Sequence, residues 1–252
     1  MCGSQGAAKT TITLLLSVVF FFALGSGSVS AQKRFARTYP AGQNVKISLM
    51  NRTGTVVVEG WNRTDISIQA ILEEPAANLA PQNLSGTIVI NLLRDNQGRD
   101  EVGNVNFYIR VPFYSLVDIE TRIGNLSVSN VRSGFVRAKI SSEGDIVLAN
   151  IESPAVSAEN VVGDIFFDGE IQENGSYRFS SMKGRINLRI PVASNFRFVA
   201  TAPSTRNISL GAFTNSNTSF LGDGRRVVGR SGDGSAAIYV TNQQGSISFI
   251  RR

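Results

Sequence analysis

The stretch "GDIVLANIESPAVSAENVVGDIFF", residues 144–167, begins and ends on the same phrase. Gly-Asp-Ile, one residue and then an apolar residue occur at Gly144 and again at Gly163. The phrase belongs to a wider pattern of glycine, polar, aliphatic, any residue, apolar. It reads "GNVNF" at Gly103, "GNLSV" at Gly124, "GRINL" at Gly184 and "GSISF" at Gly245, with "RNISL" at Arg206 carrying arginine in the glycine place. Successive spacings from Gly103 are 21, 20, 19, 21, 22 and 39, the last close to two periods. "GTVVV" at Gly54 and "GTIVI" at Gly86 match at irregular distances.

Between these phrases lies a second alternating run: "FVRAKI" (135–140), "AVSAENV" (155–161), "SYRFSSM" (176–182) and "NFRFVA" (195–200). Apolar residues at period two indicate half-buried strands, and no window carries a 3.6-residue stripe. A fixed period of this length is the signature of a stacked repeat. The expectation is therefore an all-β fold, a single-stranded β-helix (β-solenoid) of roughly 20-residue coils. Each glycine turns a corner, the Asn or Asp beside it bonds the turn backbone, and the alternating pair (Ile146 with Leu148, Ile165 with Phe167) faces the interior.

The flanks differ. "NVKISLMNRTGTVVVEGWNRTDISIQAILEE" (44–74) reads as three longer strands with turns at 52–54 and 60–64, Trp61 packing against them. Residues 32–102 are assigned to an N-terminal β-strand cap and 103–252 to the solenoid coils. The Gly-, Asn-, Ser- and Arg-interrupted segment 202–234 is expected to be a long loop, and such loops often carry function. The final Arg251-Arg252 reads as charge guarding an exposed last edge. If that edge pairs instead, copies of the protein would associate end to end.

The first 31 residues have the layout of a secretory signal peptide: Lys9, an apolar run from Ile12 to Leu24, then "GSGSVSA" with Val29 and Ala31 preceding a cleavage point at Gln32. The run is short for a bilayer span, so the mature chain is expected to lack one and to be exported to the periplasm, cell surface or medium. Cys2, the only cysteine, departs with the leader, so the fold stands without disulfides. Losing Lys9 takes the net charge from +6 to +5 (6 − 1). The basic residues are scattered rather than interleaved with aromatics, which argues against nucleic acid as a partner.

The chain contains no histidine. That removes Ser-His-Asp and Cys-His nucleophile arrangements and His-based zinc sites. The enzymatic rival is a polysaccharide-active β-helix using surface carboxylates, which need two acids in one groove. Asp145 and Asp164 hold equivalent places in adjacent coils, with Glu143 and Asp168 nearby, and are the candidates for a cation or an acid pair. Asn104, Asn125 and Asn207 fill the same place elsewhere, which favours a turn role. No cofactor is expected. In the outward slot most coils carry Asn or Ser, whereas Val147 and Phe166 form an apolar pair, a contact patch unless 202–234 covers it.

In their order, "GTVVVEGWNRTDISIQA" (54–70), "VPFYSLVDIETRIGNLSVSNV" (111–131), the Gly-Asp-Ile coils and "GDGSAAIYVTNQQGSISFIRR" (232–252) resemble an exported bacterial β-strand-repeat family of unknown function. This is the adhesin-type, or toast-rack, domain, and the resemblance covers roughly residues 40–252. It implies a right-handed β-helix at the cell envelope, a surface binding or structural role linked to adhesion or envelope stress, and no catalytic residues. Envelope glycans or other surface proteins are the expected partners.

Overall fold

The computed structural model describes residues 32–42, 45–214, 217–221 and 224–252. The expected signal peptide and Cys2 lie outside the described residues.

These residues form almost nothing but strands. The first group is β1 (Lys33–Pro40), β2 (Lys46–Thr53), β3 (Val56–Trp61), β4 (Asp65–Leu72), β5 (Gln82–Leu84) and β6 (Thr87–Asn91). The middle holds β7 (Val105–Pro112), β8 (Leu116–Ile123), β9 (Leu126–Val131), β10 (Val136–Glu143), β11 (Ile146–Glu152), β12 (Ala155–Val162) and β13 (Ile165–Glu170). The last are β14 (Ser176–Lys183), β15 (Arg185–Ile190), β16 (Phe196–Thr201), β17 (Ile208–Ser209), β18 (Thr218–Leu221), β19 (Arg226–Ser231), β20 (Ala236–Asn242) and β21 (Ser246–Arg251).

They assemble into two open sheets. One has 10 strands in the order β1-β4-β7-β3-β9-β11-β13-β15-β21-β17, the other 11 in the order β18-β19-β16-β20-β14-β12-β10-β8-β2-β6-β5. From β8 to β15 the chain visits the sheets alternately, each visit adding one parallel strand beside the last.

Register puts like upon like. Leu126, Ile146, Ile165, Ile186 and Ile247 lie in one row, and Val128, Leu148, Phe167, Leu188 and Phe249 in the next. In the opposite sheet Val117, Val136, Val156, Tyr177 and Ile238 are likewise aligned. All of these side chains are buried. Ile146 and Ile165 thus sit side by side in a shared dry interior, as the alternation required. Phe167 packs on Tyr177 and Phe179 at ring-centroid distances of 6.1 and 5.1 Å. Phe196, Phe198, Phe213 and Phe249 close the C-terminal end of the core.

The glycine corner has a steric cause. Gly144 and Gly163 adopt φ of 146° and 130°. A Cβ on Gly163 would lie 2.1 Å from the carbonyl oxygen of Gly144, and one on Gly144 2.2 Å from that of Gly124. Glycine recurs because each corner's backbone rests directly on the corner below it. Buried amides brace the column from inside, with Asn160 Nδ2 donating to the Gly144 carbonyl at 3.3 Å and Asn242 Nδ2 to that of Gly184 at 2.9 Å.

Stacking order departs from chain order at both ends. Val56 of "GTVVV" aligns with Leu126, and β2-β3 lies inside the stack between β6-β7 and β8-β9. The stretch 44–74 does form three strands, β2, β3 and β4, of which β4 pairs antiparallel with β7 and with β1 at this end of the sheet. "GNVNF" sits two residues out of step, Val56 facing Phe107 rather than Val105. A slip of two keeps the same residues inward, so the phrase looks regular. "GTIVI" at Gly86 belongs to the other sheet, where Ile88 faces Ile47.

At the C-terminal end, β20-β21 inserts between β14-β15 and β16-β17. The final strand is consequently not the last in space, and Arg252 guards no terminal edge: it is paired with Asp168 and Glu170. The segment expected as the loop 202–234 contains β17, β18 and β19, which extend both sheets, with β18 and β19 antiparallel.

Candidate functional site

Asp145 and Asp164 do stand one above the other, at the corner beside the glycines. Asn125 Oδ1 accepts the Asp145 amide at 3.0 Å, Asp145 Oδ1 accepts the Asp164 amide at 2.8 Å, and Asp164 Oδ1 accepts the Arg185 amide at 2.7 Å. Asn106 does the same for Thr55 at 2.8 Å. Each side chain satisfies a backbone donor that the glycine corner leaves outside the strand ladder, a task asparagine and aspartate perform equally. Among the described residues no group of three or more His, Cys, Asp or Glu side chains is arranged to hold a metal ion.

Val147 and Phe166 are neighbours in the outward row Ser127–Val147–Phe166–Asn187. Val147 is 37% exposed and Phe166 is half-buried. The cover on Phe166 comes from within the sheet: the Arg189 guanidinium lies 5.8 Å from its ring centroid. The strands of segment 202–234 pair at the C-terminal end of the stack instead.

Beside this patch lies an ionic cluster that the sequence did not announce. Arg189 binds buried Asp168 at 2.5 Å, while Arg252 approaches Asp168 at 3.5 Å and Glu170 at 2.7 Å. The hydrogen bond and charge of Asp168 hold the Arg189 guanidinium above its ordinary pKa. At the N-terminal end of the same face, Tyr108 donates to Glu59, and Arg110 Nε donates to the Tyr108 hydroxyl at 3.1 Å. Arg110 and Arg63 both lie over the Trp61 ring, 5.5 and 4.8 Å from its centroid.

The outer face of the 11-stranded sheet divides into two halves. Around β2, β8 and β10 cations and acids alternate. Lys46 and Arg137 meet Asp118 at 3.1 and 2.7 Å, and Arg137 and Lys139 meet Glu120 at 3.2 and 3.7 Å. Burial lowers the Arg137 pKa, but hydrogen bonds and charge from Asp118 and Glu120 outweigh it and raise the value overall. Around β14, β16, β19 and β20 the face is different, with Tyr239 standing 43% exposed among hydroxyls and arginines. Period-two alternation names all these residues as outward; only register says which stand together.

The class is thus a two-sheet stack of short, mostly parallel strands, with the charged and aromatic clusters described above on its outer faces. The chain matches the Toastrack DUF4097 family model over residues 25–249 and belongs to that family. Solved structures to which it is similar include a candidate cell adhesion protein from Clostridium sporogenes, at 13% identity, 88% of this chain and 100% of that chain covered, TM-score 0.48. A candidate adhesin from Bacteroides fragilis follows at 9% identity, 88% and 99% coverage and TM-score 0.40. A candidate lipid-binding protein from Parabacteroides distasonis gives 10%, 86% and 96%, with TM-score 0.34. A search of curated proteins returned no match. No described helix is long and apolar enough to cross a membrane.

Proposed function

We propose that this protein is a non-enzymatic, exported module of the cell envelope that binds or assembles through the outer faces and ends of its sheets. Membership of the Toastrack family supports the reading. The observation that carries it is the use made of the stacked carboxylates: Asp145 and Asp164 are engaged by backbone amides one coil on, which is construction rather than catalysis. The finer architectural reading belongs with it. The stack is a β-solenoid of roughly 20-residue coils, the N-terminal region up to residue 102 serving as its cap. The leader sends the chain across the membrane, and envelope glycans or surface proteins are the partners. Strand β18, last in the order of its sheet and with Phe220 70% exposed, gives the ends a means of pairing between copies.

Two measurements test this. Expressed with its own leader, the protein should be recovered from the periplasm or medium with Gln32 as its first residue; retention of the uncut leader in the cytoplasm would overturn export. Incubated with a polysaccharide panel, it should bind without releasing reducing ends. Release that disappears in Asp145→Asn or Asp164→Asn would make it the carboxylate enzyme instead.

A further inference from the structure

On the C-terminal half of the 11-stranded face, Arg178, Arg225 and Arg226 have no acid paired with them among the described residues. Register aligns Glu159, Ser180, Thr241, Thr201 and Arg226 in one outward row crossing five strands. The adjacent row holds Arg178, Tyr239 and Val199. Arg178 lies 5.7 Å from the Tyr239 ring centroid, and Tyr239 is still 43% exposed. Shallow clefts of about 310 and 320 Å³ open on either side of Tyr239, and one of about 500 Å³ lies where the hydroxyl row meets Arg225 and Arg226.

Charge separates this half from the other. Lys46, Arg137 and Lys139 are neutralised by Asp118 and Glu120. Among the described residues, Arg178, Arg225 and Arg226 make no ion pair, and Glu159 is the sole acid in the two rows between β12 and β19. The surface thus combines a positive balance, a line of hydroxyls and one exposed aromatic ring.

We infer that this surface binds a carboxylate-bearing polysaccharide laid across the strands, an inference that rests on the proposed role as a surface-binding module. Strands are ~4.8 Å apart, close to the repeat of one hexopyranose in an extended chain, so successive sugars meet successive side chains of the row. Hydroxyls of Ser180, Thr241 and Thr201 exchange hydrogen bonds with sugar hydroxyls. The ring of Tyr239 receives a sugar's C–H face, as an amphipathic ring with one wet end does. Arg178 and Arg226, one on each side of β20, present planar forks that match carboxylates in two-point hydrogen bonds. A single aromatic is too few for the stacked bases of a nucleic-acid strand, which need a series of rings along a basic groove.

Calorimetric titration of the purified protein with hexagalacturonate and with uncharged cellohexaose tests the inference. Hexagalacturonate should bind, more weakly as salt rises, and cellohexaose should not compete with it. The double variant Arg178→Ala/Arg226→Ala should lose roughly tenfold or more in affinity and Tyr239→Ala about fivefold, surface charges and aromatic contacts each contributing modestly. Arg137→Ala, on the neutralised half, should bind as the parent does. All four substitutions are at partly or fully exposed positions, and unchanged spectra and melting would show the fold intact. Absence of hexagalacturonate binding, equal binding of cellohexaose, or indifference to the three substitutions on this surface would overturn it. So would tighter binding of phosphatidylglycerol vesicles or single-stranded DNA through the same residues. If the polysaccharide panel is bound but these variants leave that binding unchanged, the surface-module reading stands and this site falls.

Discussion

Gly163→Ala puts the stacking argument at most risk. Gly163 occupies the corner before β13 at φ 130°, and an added Cβ would sit 2.1 Å from the Gly144 carbonyl oxygen. Two costs add. A non-glycine residue held at such a φ costs of the order of 1–3 kcal/mol. Overpacking against backbone that cannot rotate away costs typically a further 1–3 kcal/mol. The expected loss is therefore roughly 2–6 kcal/mol, a large part of the 5–15 kcal/mol typical of a folded domain. In a domain of this size that lowers Tm by about 5–20 °C. Two control substitutions separate the terms. At Gly98, φ is 79° with nothing within 4 Å of a Cβ, so Gly98→Ala carries only the conformational cost. At Gly42 neither applies, and Gly42→Ala should be neutral or slightly stabilising. Urea midpoints for the three variants should rank Gly42→Ala, Gly98→Ala, Gly163→Ala from most to least stable. A Gly163→Ala protein no weaker than Gly98→Ala would refute the claim that corner rests on corner.

Further expectations follow from the same contacts. Asp145→Asn should change the urea midpoint little, since Asn125 makes the equivalent bond one coil away, whereas Asp145→Ala should cost about 1 kcal/mol for the lost acceptor; calcium should raise the melting temperature of neither parent nor variant. Phe167→Ala, emptying a position packed on Tyr177 and Phe179, should cost about 3–5 kcal/mol by denaturant titration. Tyr177 is buried, its hydroxyl donating to the Ser153 carbonyl at 2.9 Å, and burial raises its pKa despite the opposing bond from the Gln172 amide. A raised folded-state value means its stabilisation is intact below the ordinary tyrosine pKa and is lost as pH rises through the folded one. Urea midpoints should therefore fall above about pH 10, and Tyr177→Phe should flatten that fall while lowering the neutral-pH midpoint. Arg137→Ala should cost no more than about 1 kcal/mol, its own side chain being 33% exposed, and the cost should shrink in high salt.

Much of this protein was legible in its residues. Period-two alternation made strands of 146–148 and 165–167 and pointed Ile146, Leu148, Ile165 and Phe167 inward, because a strand's side chains have two directions and only one leads away from water. The repeated Gly-Asp or Gly-Asn marked the corners, and the interchange of those two polar residues already indicated a hydrogen-bonding duty. The pairing of Val147 with Phe166 followed from the period as well.

What the residues left open was which strand lies beside which. Every coil offers the same ladder of amides and carbonyls and the same apolar rows, so local pattern gives no preference between Gly54 and Gly103 as the neighbour of Gly124, or between Gly245 and Arg206 as the neighbour of Gly184. The folded chain chose Gly54 and Gly245, leaving β6-β7 and β16-β17 to the outside. Charge pairing waited on the same choice: Asp118 with Arg137, Asp168 with Arg252, and Arg178 over Tyr239 exist as groups only once register is set. Alternation is a property of one strand, fixed by its own geometry, whereas adjacency is a property of two, fixed by hydrogen bonds between segments as far apart as Arg185 and Ser246.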